Sequence, residues 1–104
     1  MKKDLLKIIN NYGLIEQLKY FQSEVFELNE AILRYDEATE NFFDGKYENE
    51  IDEMENHIKE EIADVLCMLR QFQYHYGFKD EKIDEIVKFK VERQLERMRN
   101  DENN

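Results

Sequence analysis

Apolar residues recur every three or four positions along most of this chain, which is the periodicity of α-helices that bury one side. The first such stripe comprises Leu14, Leu18, Phe21, Val25, Leu28, Ile32 and Tyr35. The second comprises Ile51, Met54, Ile58, Ile62, Val65, Leu69 and Phe72. The third comprises Ile83, Ile86, Val87, Val91, Leu95 and Met98. The pattern therefore predicts three main helices.

Residues that start or stop helices set the expected boundaries of the first half. A short amphipathic helix is expected over residues 3–11, and Gly13 ends it because glycine tolerates the left-handed backbone found at helix ends. The first long helix is expected over residues 14 to about 38. Residues 36–52 interrupt the periodicity with asparagine, aspartate and glycine, so this segment is expected to be a loop.

The second half follows the same logic. Helix is expected to resume near Glu50 and to continue to about Tyr76, where Gly77 ends it. Asp80 is the expected N-cap of the last helix, which reaches about Arg99. Residues 100–104 are polar and are expected to form a disordered tail.

Composition supports one small helical domain over residues 1–99. Hydrophobic residues make up 41% of the 104 residues and charged ones 38%, with no proline to interrupt the helices. A small chain with so many charged residues has few apolar side chains with which to form a core of its own. We therefore expect an all-α bundle of three main helices and a short N-terminal helix, completed by oligomerisation into a homodimer or homotetramer.

The formal net charge of −10 argues against binding to nucleic-acid backbones or to anionic membrane surfaces. The single cysteine, Cys67, cannot form an internal disulfide, which fits a reducing compartment. No segment approaches the ~20 apolar residues of a membrane span, and residues 1–10 lack the apolar run of a signal peptide. These features predict a cytoplasmic protein.

Two pairs of acidic residues stand out from the others. Seven Asp/Glu pairs are spaced three residues apart, so this spacing alone is uninformative in so acidic a chain. Only Glu24/Glu27 and Glu61/Asp64 lie within strongly apolar runs, beside the stripes of the first and second helices. If these two helices pack antiparallel, four carboxylates can converge at the edge of their interface, and protons or cations must compensate their repulsion.

Ligands that are all oxygen favour Mg²⁺, with Mn²⁺ as an alternative. A di-iron carboxylate site is the main competing possibility, but such sites use Glu-x-x-His on two helices. Here Met54 precedes His57 by three positions, and Phe72 precedes His75. The di-iron motif is therefore absent.

The segments Glu24-Val-Phe-Glu27 and Glu61-Ile-Ala-Asp64 resemble the paired E-x-x-E and E-x-x-D motifs of MazG-like nucleotide pyrophosphohydrolases, of the all-α NTP pyrophosphatase superfamily. The basic segment from Lys90 to Met98 is similar to the helix that follows the second motif in that family. The resemblance covers residues 14–99, and residues 36–52 have the character of an inserted loop.

This resemblance implies Mg²⁺-dependent hydrolysis of a nucleoside triphosphate (NTP or dNTP) to the monophosphate and pyrophosphate. The metal ligands would be Glu24, Glu27, Glu61 and Asp64. One of these four, or the neighbouring Glu60, would orient or deprotonate the attacking water. The spacing of Lys90, Arg93 and Arg97 places them on one helix face, where they would bind the phosphates.

A different class of function is compatible with the same sequence. An acidic helical module could use its apolar stripes to bind a partner helix, or could bind nucleotide without turning it over. The two possibilities differ in whether Mg²⁺ and a nucleotide stabilise the protein, since a ligand that binds only the folded state raises its stability.

Overall fold

The computed structural model describes residues 1–41 and 48–103, and these ranges contain four α-helices and no strand. The helices are α1 (Lys2–Tyr12), α2 (Leu14–Asn41), α3 (Glu48–His75) and α4 (Asp80–Glu102). The predicted all-α class is confirmed. Across the described ranges, none of these helices is apolar over the length that crossing a membrane requires.

The central feature is the antiparallel pair formed by α2 and α3, which make the most extensive helix contact. Near the start of α2, the rings of Phe21 and Phe72 pack edge to face with centroids 5.5 Å apart. Near its end, the Tyr35 hydroxyl donates to the Glu55 carboxylate at 2.8 Å. The later residue of α2, Tyr35, thus contacts the earlier residue of α3, Glu55, so the two helices run in opposite directions.

Helix α1 packs mainly on α3 and also touches α2. Its apolar side inserts Leu5 and Ile9, and Ile9 is the most deeply buried large side chain, with 1% of its surface exposed. The Lys2 ammonium lies 5.4 Å from the centre of the Tyr74 ring. Gly13, at φ 91°, then reverses the chain directly into α2.

A defined turn connects α3 to α4. Gly77 has φ 72°, its N–H donates to the Tyr74 carbonyl, and the Phe78 N–H donates to the Gln73 carbonyl, both at 3.0 Å. This pair of bonds is the Schellman motif, which requires a left-handed residue at the position of Gly77. The side chains of Gln73 and Tyr74 also donate to the Asp80 carboxylate, at 2.7 and 3.0 Å.

Three predicted boundaries differ from the structure. The segment 36–52 is not a loop throughout, because α2 continues to Asn41 and α3 begins at Glu48; the part of that prediction on residues 42–47 lies outside the described residues. Asp80 is the first residue of α4 rather than its N-cap, which is Lys79, because its carboxylate is engaged by α3. Finally, α4 continues to Glu102, beyond Arg99.

Helix α4 does not join the bundle in the single chain. Beyond the side-chain contacts of Asp80, its described residues make no packing contact with α1, α2 or α3. No residue of α4 is buried, and the apolar side chains of its predicted stripe remain largely exposed. The predicted bundle is thus formed within one chain by α1, α2 and α3 only.

The apolar stripes of α2 and α3 are also only partly covered. We call the exposed part the apolar outer face; it comprises Leu18, Ile32, Ile62 and Leu69. The buried positions between α2 and α3 are instead largely polar. We call these the polar line; it comprises Gln17, Glu24, Glu61 and Gln71. Both helices are therefore rotated, relative to the prediction, so that polar residues face inward.

The packing of α1 yields the first prediction. Replacing Ile9 by alanine should lower the free energy of unfolding by about 2–4 kcal/mol, because the change leaves a cavity against α3. The neighbouring Ile8 is 39% exposed, and its replacement by alanine should cost less than about 1 kcal/mol. Urea denaturation followed by circular dichroism measures both values. Equal losses at the two positions would show that α1 does not pack through Ile9.

Candidate metal centre

Three of the four predicted carboxylates meet where the middle of α2 crosses α3. Glu24 comes from α2, while Glu61 and Asp64 lie one helical turn apart on α3. One oxygen from each of these residues lies within 4.8 Å of the others. Glu24 and Glu61 are buried, at 4% and 7% exposure, and Asp64 is exposed. The prediction of acids at the edge of the interface is corrected: two of them lie inside it.

Each of the two buried carboxylates has one oxygen that the described residues do not satisfy. The Oε2 atoms of Glu24 and Glu61 are fully buried and have no hydrogen-bond partner among the described residues. A buried carboxylate oxygen without a donor costs free energy, and a nearby carboxylate of the same charge adds to this cost. The cluster is therefore a strongly electronegative position inside the helix interface.

The pKa of Glu61 reflects this environment. Burial raises the pKa of Glu61 above its ordinary value, and the negative charges of Glu27, Glu24 and Asp64 raise it further. His57 acts in the opposite direction, with its Nε2 atom 3.8 Å from a Glu61 oxygen. Proton binding to Glu61 is thus favoured while no other cation shares the site.

Tyr20 provides one polar contact to the cluster from the same helix as Glu24. Its pKa is raised, first by its hydrogen bond with the Glu24 carboxylate and then by the charge of that carboxylate. A phenol that donates to a carboxylate holds its proton more tightly. Tyr20 therefore orients one side of Glu24, while the buried Oε2 atom of Glu24 stays without a donor.

The remaining predicted residues are placed differently. Glu27 is exposed and is not one of the three converging ligands, although its charge is the strongest neighbouring influence on Glu61. Lys90, Arg93 and Arg97 are exposed on α4, which does not reach the cluster within one chain. Their assignment to phosphate binding stays a prediction.

A cavity of about 540 Å³ adjoins the cluster, between α1 and the α2–α3 pair. Tyr20 and Asp64 belong both to its wall and to the cluster region, and Tyr12 of α1 forms part of the wall. Gln17 and Gln71 also line it; they are buried and linked by an Nε2-to-Oε1 hydrogen bond of 2.8 Å. The cavity is large enough for a ligand of nucleoside size.

Gln17 and Gln71 are not among the site residues predicted from the sequence. A signal for Gln17 was nevertheless present, because it precedes Glu24 by seven residues and so lies two turns away on the same face of α2. Gln71 carries no such signal by itself. Its position in the cavity follows from the packing of α1 against α3, which the sequence does not reveal.

The donor set suits a hard divalent cation. All three converging ligands are carboxylates, and oxygen ligands of this kind favour Mg²⁺ or Mn²⁺ over softer metals. Two of them have a buried oxygen that lacks any donor, which a cation would satisfy. No histidine or cysteine belongs to this converging group, although His57 lies at its border.

Comparison of the chain with protein-family models, with curated proteins and with solved structures finds no match. A function for this chain is therefore inferred from its residues and their geometry.

The raised pKa of Glu61 gives a prediction for the metal-free protein. Because the folded state holds a proton that the unfolded chain releases near pH 4.5, stability should fall as pH rises above that value toward the raised pKa. Glu61→Gln removes this proton and should flatten the dependence. Urea midpoints measured in a chelator from about pH 5 to 8 test the difference.

The matched control is Glu53→Gln, the same change at an exposed position of α3. It should follow the wild-type curve. If Glu61→Gln also follows that curve, Glu61 does not carry the unfavourable charge inferred here.

Proposed function

We propose that this protein is an Mg²⁺-dependent nucleoside triphosphate pyrophosphohydrolase acting in the cytoplasm. The observation that carries the proposal is the pair of buried, unpartnered carboxylate oxygens of Glu24 and Glu61, which face each other across two helices and adjoin Asp64. A cluster of this kind is unfavourable for the apo fold, and binding a dication removes the penalty.

The proposed metal ligands are Glu24, Glu61 and Asp64, with Glu27 available from the next turn of α2. Bound Mg²⁺ would neutralise charge on the phosphates and lower the pKa of a coordinated water. Mn²⁺ fits the same donors. Tyr20 would hold the Glu24 carboxylate in place through the hydrogen bond described above.

In this proposal the substrate would occupy the cavity beside the cluster. The triphosphate would lie at the acidic end, beside Asp64, and the nucleoside would occupy the space lined by Tyr12, Gln17 and Gln71. Aromatic and amide side chains are suited to contact a base by stacking and hydrogen bonding. The two ends of a nucleotide thus match the two ends of the site.

The proposed reaction is attack of water on the α-phosphorus. A bond forms between the water oxygen and that phosphorus, the bond to the oxygen bridging the α and β phosphates breaks, and pyrophosphate leaves. The water proton passes to a carboxylate of the cluster or to Glu60, which is exposed on α3. The carboxylates hold the reactants in position, and positioning supplies much of the catalysis in phosphoryl transfer.

The basic residues of α4 fit this scheme only through another chain. Lys90, Arg93 and Arg97 lie on an exposed helix that packs on no other helix of its own chain. If they bind phosphate at the cluster, a second copy supplies them. Guanidinium groups bind phosphate oxygens through paired, charge-assisted hydrogen bonds.

A non-catalytic binding module is the second candidate, and the uncovered apolar side chains on α2, α3 and α4 favour it. Such a module would use those surfaces for a partner. It would not need Mg²⁺ for stability.

The decisive experiment assays purified protein against a panel of NTPs and dNTPs with Mg²⁺, and identifies products by chromatography. We expect a monophosphate and pyrophosphate from at least one nucleotide, and no turnover in a chelator. Glu61→Gln should lower kcat/KM at least about 100-fold, because one ligand charge is lost. Glu53→Gln, on the exposed surface of α3, should remain near wild type.

Melting curves separate the two candidates independently of turnover. Mg²⁺ with a non-hydrolysable nucleotide should raise the Tm of the wild type, and much less that of Glu61→Gln. Stabilisation without cleavage would indicate a nucleotide-binding module. If the protein is not stabilised by Mg²⁺ with the nucleotide and also cleaves no nucleotide, the metal centre is rejected.

A further inference from the structure

A second cavity adjoins the candidate metal centre, further along the groove between α2 and α3. Its volume is about 490 Å³, and its described lining residues all come from these two helices. Glu61 of the cluster and the neighbouring Glu27 belong to its wall, whereas Asp64 lines the first cavity, the one with Gln17 and Gln71. The carboxylate cluster therefore lies between two cavities.

Among the described lining residues of the second cavity, one is an arginine, Arg34. Glu30 lines the same wall and precedes Arg34 by four residues, a spacing at which acidic and basic side chains of a helix commonly pair. Arg34 nevertheless forms no hydrogen bond or ion pair with any residue in the ranges that the structure describes. Its exposed guanidinium is therefore available to an anion from outside the protein.

The position of Arg34 on α2 directs it toward the cluster. Arg34 follows Glu27 by seven residues, or two helical turns, so both lie on the same side of α2, about 10 Å apart along its axis. Long side chains of a helix lean toward the N-terminus of that helix. The Arg34 side chain therefore extends back along the groove toward Glu27 and the metal centre.

On the basis of the function proposed above, we propose that the second cavity binds the β and γ phosphates of the substrate and that Arg34 contacts them. With the nucleoside in the first cavity and the α phosphate at the cluster, the remaining phosphates continue along the groove toward Arg34. There the guanidinium donates paired, charge-assisted hydrogen bonds to phosphate oxygens. It also stabilises the charge that cleavage transfers to the leaving pyrophosphate.

The charges of the second cavity make this binding dependent on the metal. Three of its described lining residues are glutamates, Glu27, Glu30 and Glu61, and they repel a free phosphate chain. A dication at the cluster reverses the local charge next to Glu61, and Arg34 supplies the positive charge at the far end. Pyrophosphate is thus expected to bind as its Mg²⁺ complex. Because this contact comes from α2, it requires no second chain, unlike the phosphate contacts proposed for α4.

Isothermal titration calorimetry with inorganic pyrophosphate in excess Mg²⁺ tests this site without nucleotide turnover. The wild type should bind, and a chelator should abolish binding. Arg34→Ala should weaken the affinity at least about 10-fold, because a hydrogen bond between charged groups is lost. Arg34→Lys should restore part of the affinity, since lysine keeps the charge but not the paired geometry. Mg²⁺ alone should bind Arg34→Ala at least as tightly as the wild type, because a nearby cation has been removed.

The matched control is Lys59→Ala, which removes the same charge from an exposed position of α3. Lys59 is two residues from His57, which lines the second cavity, and residues two positions apart on a helix point in nearly opposite directions. Lys59 therefore points away from the groove. Its replacement should change the affinity for pyrophosphate less than about threefold, since solvent and salt screen its charge. Circular dichroism should report the same helix content for all three variants.

The inference is overturned if the wild type does not bind pyrophosphate with Mg²⁺, or if Arg34→Ala binds it as tightly as Lys59→Ala does. Its failure is distinguishable from failure of the proposed function. Nucleotide cleavage by the wild type, with unchanged pyrophosphate affinity in Arg34→Ala, would reject the role of Arg34 and leave the hydrolase in place. Pyrophosphate binding that depends on Arg34, without cleavage of any nucleotide, would support the phosphate site and reject the hydrolase.

Discussion

The structure depends on how α2 and α3 accommodate carboxylates inside the contact between them. Glu24 and Glu61 occupy buried positions that an ordinary helix pair fills with leucine or valine, and each has an oxygen without a donor. Apolar side chains on either side, such as Phe21 against Phe72, hold the helices together around this unfavourable centre. Favourable apolar packing therefore offsets the free-energy cost of burying these two carboxylates.

This polar interior also determines what the chain exposes. Each helix has one apolar stripe, and turning the polar line toward the partner helix moves part of that stripe outward. Leu18 and Ile62 are accordingly exposed although their spacing is that of core residues. The same rotation places Tyr20 and Asp64 on the opposite side, toward α1 and the cavity. The acidic centre and the uncovered apolar surface are thus two consequences of one helix orientation.

Much of the fold was predictable because helix formation is governed by local sequence. The apolar periodicity located all four helices, and Gly13 and Gly77 adopt the positive φ angles expected where helices end. The pairing of Glu24 with Glu61 and Asp64 followed from their apolar surroundings. The rotation of the helices was not predictable, because it depends on which neighbours are present. The role of Asp80 was missed for the same reason: its partners, Gln73 and Tyr74, come from the preceding helix.

The repulsion within this carboxylate cluster can be relieved by protons or by a metal cation. The two differ in how much positive charge they bring. Protonation of Glu61 removes one negative charge. The carboxylates of Glu24, Glu27 and Asp64, whose charges raise the pKa of Glu61, still repel one another, because one proton neutralises only one carboxylate. Further protons are costly at neutral pH, where carboxyl groups ordinarily ionise. A divalent cation brings two positive charges and occupies the lone pairs of several oxygens at once. Tyr20 donates to Glu24 and His57 approaches Glu61, but the buried Oε2 atoms of Glu24 and Glu61 have no donor among the described residues.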